Sequence, residues 1–219
     1  MSTKDLDDIG ARVFRDHGAR SAPQLTYGFP GVNCISLNDE AVHGVPSARR
    51  IISRGDLVKI DVTAELDGYM ADAAVTVEAG SWTPAKQRLL RAAASALGRG
   101  LRAARAGATA MTVGDAIGSE VVRRGYRIIP ELGGHGIGRT IHELPSIPNY
   151  LDPRATTALT EGLVVTVEPI ITDGVGRLRR SPDGWTLPTM DGRLSAHVEH
   201  TSVVTRGQPL ILTRHPATA

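Results

Sequence analysis

The chain has 219 residues, enough to bury roughly 70% of its unfolded surface in one domain or two small ones, which excludes a disulfide-stapled mini-protein. Its 25 Lys and Arg stand against 23 Asp and Glu, a net charge of +2, and the arginines are scattered singly or in pairs, so no nucleic-acid footprint is implied. Cys34 is the single cysteine and cannot close an intramolecular bridge, no apolar run reaches the roughly 20 residues of a membrane span, and Met1 to Asp5 lacks the order of a signal peptide, so a cytoplasmic protein is expected.

Aromatic residues are only 4% of the chain, so its core must be built from Ala, Val, Leu and Ile, which suits helices packed on a sheet. In chain order, Ser2 to His17 carries Leu6, Ile9 and Val13 at helical spacing and stops at Gly18. Leu57 to Ala64 and Tyr69 to Val77 are strand-like runs joined by Asp67-Gly68, the signature of a two-residue hairpin. Thr83-Pro84 opens the longest helix, whose apolar stripe runs through Leu89, Ala93, Leu97 and Leu101 to Gly107. Thr112 with Asp115 three residues on resembles a capping box before Ile117 and Val121, and Gly125 ends that helix. Leu163 to Val167 and Val198 to Val204 are two further strands, separated by a long stretch rich in Gly, Asp and Arg.

An internal repeat organises these elements. Asp7-x-Ile9-Gly10-x-x-Val13 matches Asp115-x-Ile117-Gly118-x-x-Val121, and Val58-Lys59-Ile60-Asp61 matches Val165-Thr166-Val167-Glu168 at nearly the same offset. Two α+β halves related by a pseudo-twofold follow, with the site where they meet. The long helix of the second half has no counterpart ahead of Ser2. In the hairpin, a two-residue turn places Asp61 opposite Ala74, so Asp72 is its diagonal neighbour on the same face. The repeat puts Glu168 at the equivalent of Asp61, and Glu199 rises on the last strand at a place comparable to Asp72. An Asp beside a turn is usually a turn residue and a Glu in a strand usually faces solvent. Here the repeat, the shared face and the apolar setting select all four. Like charges so close drive one another to protonate unless cations intervene. With His135 in its glycine-rich run, they suit two divalent ions and hydrolytic chemistry. That run lacks a following helical pattern, so a dinucleotide site is not expected.

The strings Tyr27-Gly28-Phe29-Pro30, His43-Gly44-Val45-Pro46, Gly134-His135-Gly136-Ile137-Gly138-Arg139 with His142-Glu143, Val167-Glu168-Pro169, Asp183-Gly184-Trp185-Thr186 and Glu199-His200-Thr201 resemble type I methionine aminopeptidases over essentially the whole chain. The resemblance implies the pita-bread (creatinase/aminopeptidase) fold, an α+β fold of two pseudo-twofold halves with a curved antiparallel sheet covered by helices. It implies a single catalytic domain over 1–219, with halves of about 1–80 and 81–212 and a tail over 213–219. It also implies a dinuclear aminopeptidase that removes N-terminal methionine from peptides or nascent proteins with a small second residue. On that likeness Asp61 chelates one ion, His135 and Glu168 the other, and Asp72 and Glu199 bridge them. Glu168 is the general base, His142 bonds the scissile carbonyl, and His43 contacts substrate. Phe29, Cys34, Ile141 and Trp185 line the methionine pocket together with His43 and His142. The ions are Co, Mn, Fe or Zn, and a monovalent cation is implied near Asn38 and Ser195. His17 and His215 are assigned to the surface, and His200 beside the site or at the surface.

Three departures from the family pattern are visible. Members carry a longer N-terminus, so one sheet face is expected to be covered by a second copy or another chain. Thr26 and Ile141 stand where aromatics are usual, which opens the first pocket and leaves a paralogue acting on another small free-amine substrate as the alternative, ahead of a non-catalytic binding module. His197 replaces what is commonly an amide, either donating to Glu199 or altering metal preference. The basic stretch Arg177 to Arg180 is assigned to solvent.

Overall fold

The computed structural model describes residues 1–80 and 83–214. Helix α1 (Thr3–Asp16) starts where predicted: the Ser2 hydroxyl accepts from Asp5 N (3.1 Å) while the Asp5 carboxylate accepts from Ser2 N (2.8 Å), a reciprocal cap. Strand β1 (Arg20–Ser21) leads into α2 (Ala22–Tyr27), a helix too short for any periodic signal; Ser21 caps it, Pro23 lies in its first turn and Gly28 ends it at φ 69°. Strands β2 (Cys34–Leu37) and β3 (Glu40–Val42) follow. The hairpin of β4 (Leu57–Leu66) and β5 (Tyr69–Glu78) has the expected register, Leu66 facing Tyr69 and Asp61 facing Ala74, because Asp67 (φ 53°) and Gly68 (φ 81°) form a two-residue turn whose twist matches the strands.

Helix α3 (Pro84–Ala103) begins at Pro84 and ends four residues short of Gly107. Helix α4 (Ala110–Arg123) begins earlier than its apparent capping box. Thr109 caps it by accepting from Thr112 N (3.2 Å), and Asp115 bonds the Ser119 hydroxyl instead. The two helices pack through small faces. Ala92, Ala93 and Ala96 of α3 and Val113, Ile117 and Val121 of α4 are buried with Val165 and Val167.

The remaining strands are β6 (Arg127–Ile128), β7 (Gly133–Gly136), β8 (Glu143–Pro148), β9 (Val164–Val167), β10 (Ile170–Thr172), β11 (Leu187–Pro188), β12 (Ser195–His197), β13 (His200–Val203) and β14 (Leu210–Ile211). In the first half β4 pairs with β1, β2 and β5; in the second, one sheet runs β14-β13-β9-β7-β8 and another β12-β10-β6. Helix α1 packs on β2 as α4 packs on β8, the arrangement the repeat anticipates.

The single strand expected over Val198–Val204 is broken. Chain partners change there: β12 pairs with β10 and β13 with β9, while between them Glu199 N donates to Ala74 O of β5 (2.9 Å). This cross-link ties the halves together and leaves Glu199 at their junction.

Candidate metal centre and substrate cavity

Four acids and two histidines meet where β4, β5, β7, β9, β12 and β13 converge. Donor atoms of Asp72, His135 and Glu199 lie within 4.8 Å of one another, and so do those of Glu168, His197 and Glu199. Glu199 belongs to both groups. Asp61 lines the same cavity. In the second half the last ladder pair is His200 with Val167, so Glu168 and Glu199 leave it side by side, whereas Asp72 faces Thr63 and is diagonal to Asp61.

The strands hold these groups by specific bonds. His135 N donates to Thr166 Oγ1 (3.0 Å), which donates to Glu168 Oε1 (3.0 Å). The His135 Nδ1 hydrogen goes to Gly136 O (2.9 Å), leaving Nε2 with a lone pair, 3.4 Å from Glu168 Oε1. The glycines around His135 serve close strand packing: a Cβ on Gly134 would lie 2.4 Å from Thr166 O, and one on Gly136 2.3 Å from Leu144 O.

Burial and mutual repulsion set the electrostatics. Burial, then Asp72 and Glu168, push Asp61 well above the usual carboxylate range; burial, then Asp72, Glu168 and Asp61, do the same to Glu199. Burial and Glu168 raise Asp72 against the pull of Thr63, His135 and His197. Burial raises Glu168 to about 7, opposed by His135 and Thr166. Asp72 Oδ1, Glu199 Oε1 and both ring nitrogens of His197 are buried without a hydrogen-bond partner among the described residues. Unmet oxygen and imidazole donors facing one another, in a setting that resists negative charge, fit divalent cations.

Beside the cluster lies a cavity of about 370 Å³ whose wall includes Phe29, Cys34, Ile141, His142, Trp185 and His43. Phe29 and Trp185 meet edge to face with centroids 5.3 Å apart. His43 sits in the left-handed region (φ 58°), and its carbonyl accepts from Thr186 Oγ1 (3.4 Å). His43 keeps surface exposed to the cavity, yet the enclosing wall, then His197 and Arg180, lower its pKa. His142 is lowered too, by burial, then by His135 and His43, so both imidazoles are neutral at physiological pH. The His142 ring lies 4.2 Å from that of His135, and its Nδ1 is 2.5 Å from the Tyr27 hydroxyl. In the sequence Tyr27 stands out only within its family-like string, whereas Thr26 occupies a place where an aromatic is usual. Thr26 is exposed and absent from the cavity wall, whereas Tyr27 forms part of it.

Near Asn38 and Ser195 the positive group is a lysine. The buried Lys59 donates through Nζ to Asn38 O (2.9 Å), which also receives Ser195 N (3.1 Å) and Ser195 Oγ (3.2 Å). Burial brings Lys59 down to about 7, against the attraction of Glu40 and Asp39. No sequence signal marked it. His17 is at the surface, bonded to Val13 O, and His200 is half-buried against Thr213 Oγ1, away from the cavity; His215 lies outside the described residues. Arg177, Arg179 and Arg180 are exposed.

Residues 1–206 match the sequence model of metallopeptidase family M24. The chain belongs to metallopeptidase family M24. Over 215 residues this M24 chain is 43% identical to methionine aminopeptidase 2 of Bacillus subtilis, covering 98% of itself and 86% of that relative. The crystal structure of methionine aminopeptidase from Rickettsia prowazekii matches it with a TM-score of 0.93 at 36% identity, and that from Thermotoga maritima with 0.94 at 32%; in both cases 98% of this chain and 86% of the other are covered. The α+β pita-bread architecture that the resemblance implies is thus the family's own. No helix among the described residues is long and apolar enough to cross a membrane.

Proposed function

We propose that this M24 chain is a dinuclear metallo-aminopeptidase that removes N-terminal methionine from peptides or nascent chains whose second residue is small. The observation that carries this reading is the junction cluster of Asp61, Asp72, His135, Glu168 and Glu199, with two histidines and an apolar cavity beside it. We assign the ions to these five side chains, with Asp72 and Glu199 shared. Divalent ions there supply Lewis acidity toward a carbonyl oxygen, toward water and toward the free α-amine. Glu168, held in place by the Thr166 hydroxyl, is placed to take a proton from water and pass it to the departing amine. His142, neutral and steadied by Tyr27, donates to the scissile carbonyl, and His43 contacts the substrate beyond it. Phe29, Cys34, Ile141 and Trp185 enclose the methionine side chain; Cys34, whose thiol burial holds neutral, acts as apolar wall.

Finer assignments accompany this reading. One catalytic domain spans 1–219, with halves of about 1–80 and 81–212. The ions are Co, Mn, Fe or Zn, since oxygen-rich sites with imidazole accept each of them. A monovalent ion near Asn38 and Ser195 has to compete with Lys59 for the Asn38 carbonyl, and we read the lysine as the resident positive group. Exposed Val75 and Val77 on β5 form part of a face that a second copy would cover, which static light scattering tests. A chain with one cysteine and no bridge suits the cytoplasm.

The test is a peptide panel. Met-Ala-Ser is cleaved, with added divalent ion, faster than Leu-, Ala- or Thr-initiated versions, and chelation abolishes turnover. Faster cleavage of another series would move the substrate assignment, and failure to take up divalent ion would end the enzymatic reading.

A further inference from the structure

His197 has no role in the assignments above, and its surroundings are unusual. It ends β12, where it pairs with Ile170. Its backbone is clamped on both sides by one hydroxyl: His197 N donates to Thr76 Oγ1 (2.9 Å), and Thr76 Oγ1 donates to His197 O (2.6 Å). The residue is 2% exposed, and neither ring nitrogen has a hydrogen-bond partner among the described residues. Two buried, unmet polar atoms on so fixed a side chain are costly in a native core.

The nearest candidates are carboxylates at the wrong distance for hydrogen bonding. His197 Nε2 lies 3.6 Å from Glu168 Oε2 and 3.6 Å from Glu199 Oε2. Two donors that each stand about 2.1 Å from one ion at a near-tetrahedral angle are themselves roughly 3.4 to 3.6 Å apart. His135 Nε2 and Glu168 Oε1, 3.4 Å apart, show the same spacing. Glu168 therefore presents one oxygen to each imidazole, and Glu199 is shared between the two donor groups.

We propose that His197 Nε2 is a direct ligand of the divalent ion held between Glu168 and Glu199, giving the centre two imidazoles in place of the single one supplied by His135. This rests on the dinuclear reading and adds a sixth side chain to it. Ligation satisfies one of the two orphaned nitrogens and converts Glu168 into a residue flanked by imidazole on both sides. A second neutral nitrogen donor shifts an oxygen-rich site toward metals that favour imidazole, such as zinc and cobalt, and away from manganese.

The experiment is X-ray absorption at the cobalt edge on the full chain loaded with two equivalents of Co(II), where imidazole rings give a countable outer-shell scattering pattern. The wild type is expected to average one imidazole per ion. His197→Gln and His135→Asn are each expected to lose half of that signal, the remainder in His135→Asn coming from His197. An average of half an imidazole per wild-type ion, or an undiminished signal in His197→Gln, overturns the proposal. The wild-type count decides alone if a variant fails to fold. Equilibrium dialysis of the wild type separates the two levels: uptake of two ions with one imidazole in total sinks only the His197 ligand, whereas no uptake sinks the metal centre itself.

Discussion

The hydroxyl of Thr201 accepts from the backbone N–H of Asp72 (2.8 Å) and donates to the Asp72 carbonyl (2.7 Å), so one side chain of the second half holds both backbone groups of an acid in the first. Thr201 is fully buried. Replacing it with the isosteric Val strands an N–H and a carbonyl at the junction of the halves. Thr201→Val is expected to lose about 2 to 4 kcal/mol, or roughly 5 to 15 °C in Tm, while Thr201→Ser, which keeps the hydroxyl, stays within about 1 kcal/mol. Denaturant melts of both variants check this, and a Val variant as stable as the wild type would refute the clasp.

Ile141 is 3% exposed and shares the cavity wall with Phe29 and Trp185. Ile141→Phe narrows the pocket with a flat ring, and one apolar contact is worth about 1 to 3 kcal/mol of selectivity. The ratio of kcat/KM for Met- over Leu-initiated peptide should rise roughly tenfold. An unchanged ratio means that Ile141 does not touch the first side chain.

If Lys59 serves as the positive group on Asn38 O, the wild-type Tm should be the same in potassium, sodium and choline chloride at equal ionic strength. Lys59→Met vacates the carbonyl and should bring a Tm that rises with potassium alone. A potassium-specific rise in the wild type would show that the ion binds despite the lysine.

Glu120 of α4 ties that helix to α3: its carboxylate receives Arg123 (2.7 and 2.9 Å), Arg124 (2.5 Å) and Ser95 of α3 (2.6 Å). These polar neighbours, Arg123 first, enclose it and hold it far below its ordinary value of 4.5. A carboxyl depressed in the folded state contributes stability above its unfolded pKa and loses it as pH falls. Glu120→Gln should therefore be less stable than wild type by about 1 to 3 kcal/mol near neutrality, the gap shrinking steadily below about pH 5. Urea melts across pH 7 to 3 measure it, and a gap that widens on acidification contradicts the assignment.

Two helical glycines should respond in opposite senses to alanine. At Gly98 the new Cβ meets only the tip of Arg102, 3.3 Å away, so Gly98→Ala should gain about 0.5 to 1 kcal/mol in helix propensity. At Gly114 it would lie 2.3 Å from Tyr150 O, a backbone atom with nowhere to go, and Gly114→Ala should lose 2 kcal/mol or more. Thermal denaturation of the pair checks the contrast, and equal shifts would mean that α4 does not pack so closely on that segment.

Much of the site could be read before any coordinates because the local signals were strong. The Asp67-Gly68 turn dictates the whole β4–β5 register, which puts Asp72 diagonal to Asp61, and Ser2 with Asp5 marks the start of α1. The repeat pointed to Glu168 for the same kind of reason: identical short patterns bury identical faces. Helix α2 has no signal in the sequence because six residues carry no period, and the start of α4 is ambiguous there because Thr109 and Thr112 are equally good caps and only the fold chooses between them.

By itself the sequence determined two hydrophobically patterned halves and an acid set that demands cations, since apolar spacing and turn chemistry act over a few residues. Only the tertiary structure decided the break at Glu199, the Tyr27 hydroxyl against His142, Lys59 on Asn38 O and His197 between two glutamates. Apart from Glu199 beside His197, the partner in every case lies 20 to 130 residues away, and that choice is made by the packing of the two halves against each other, which no local pattern encodes.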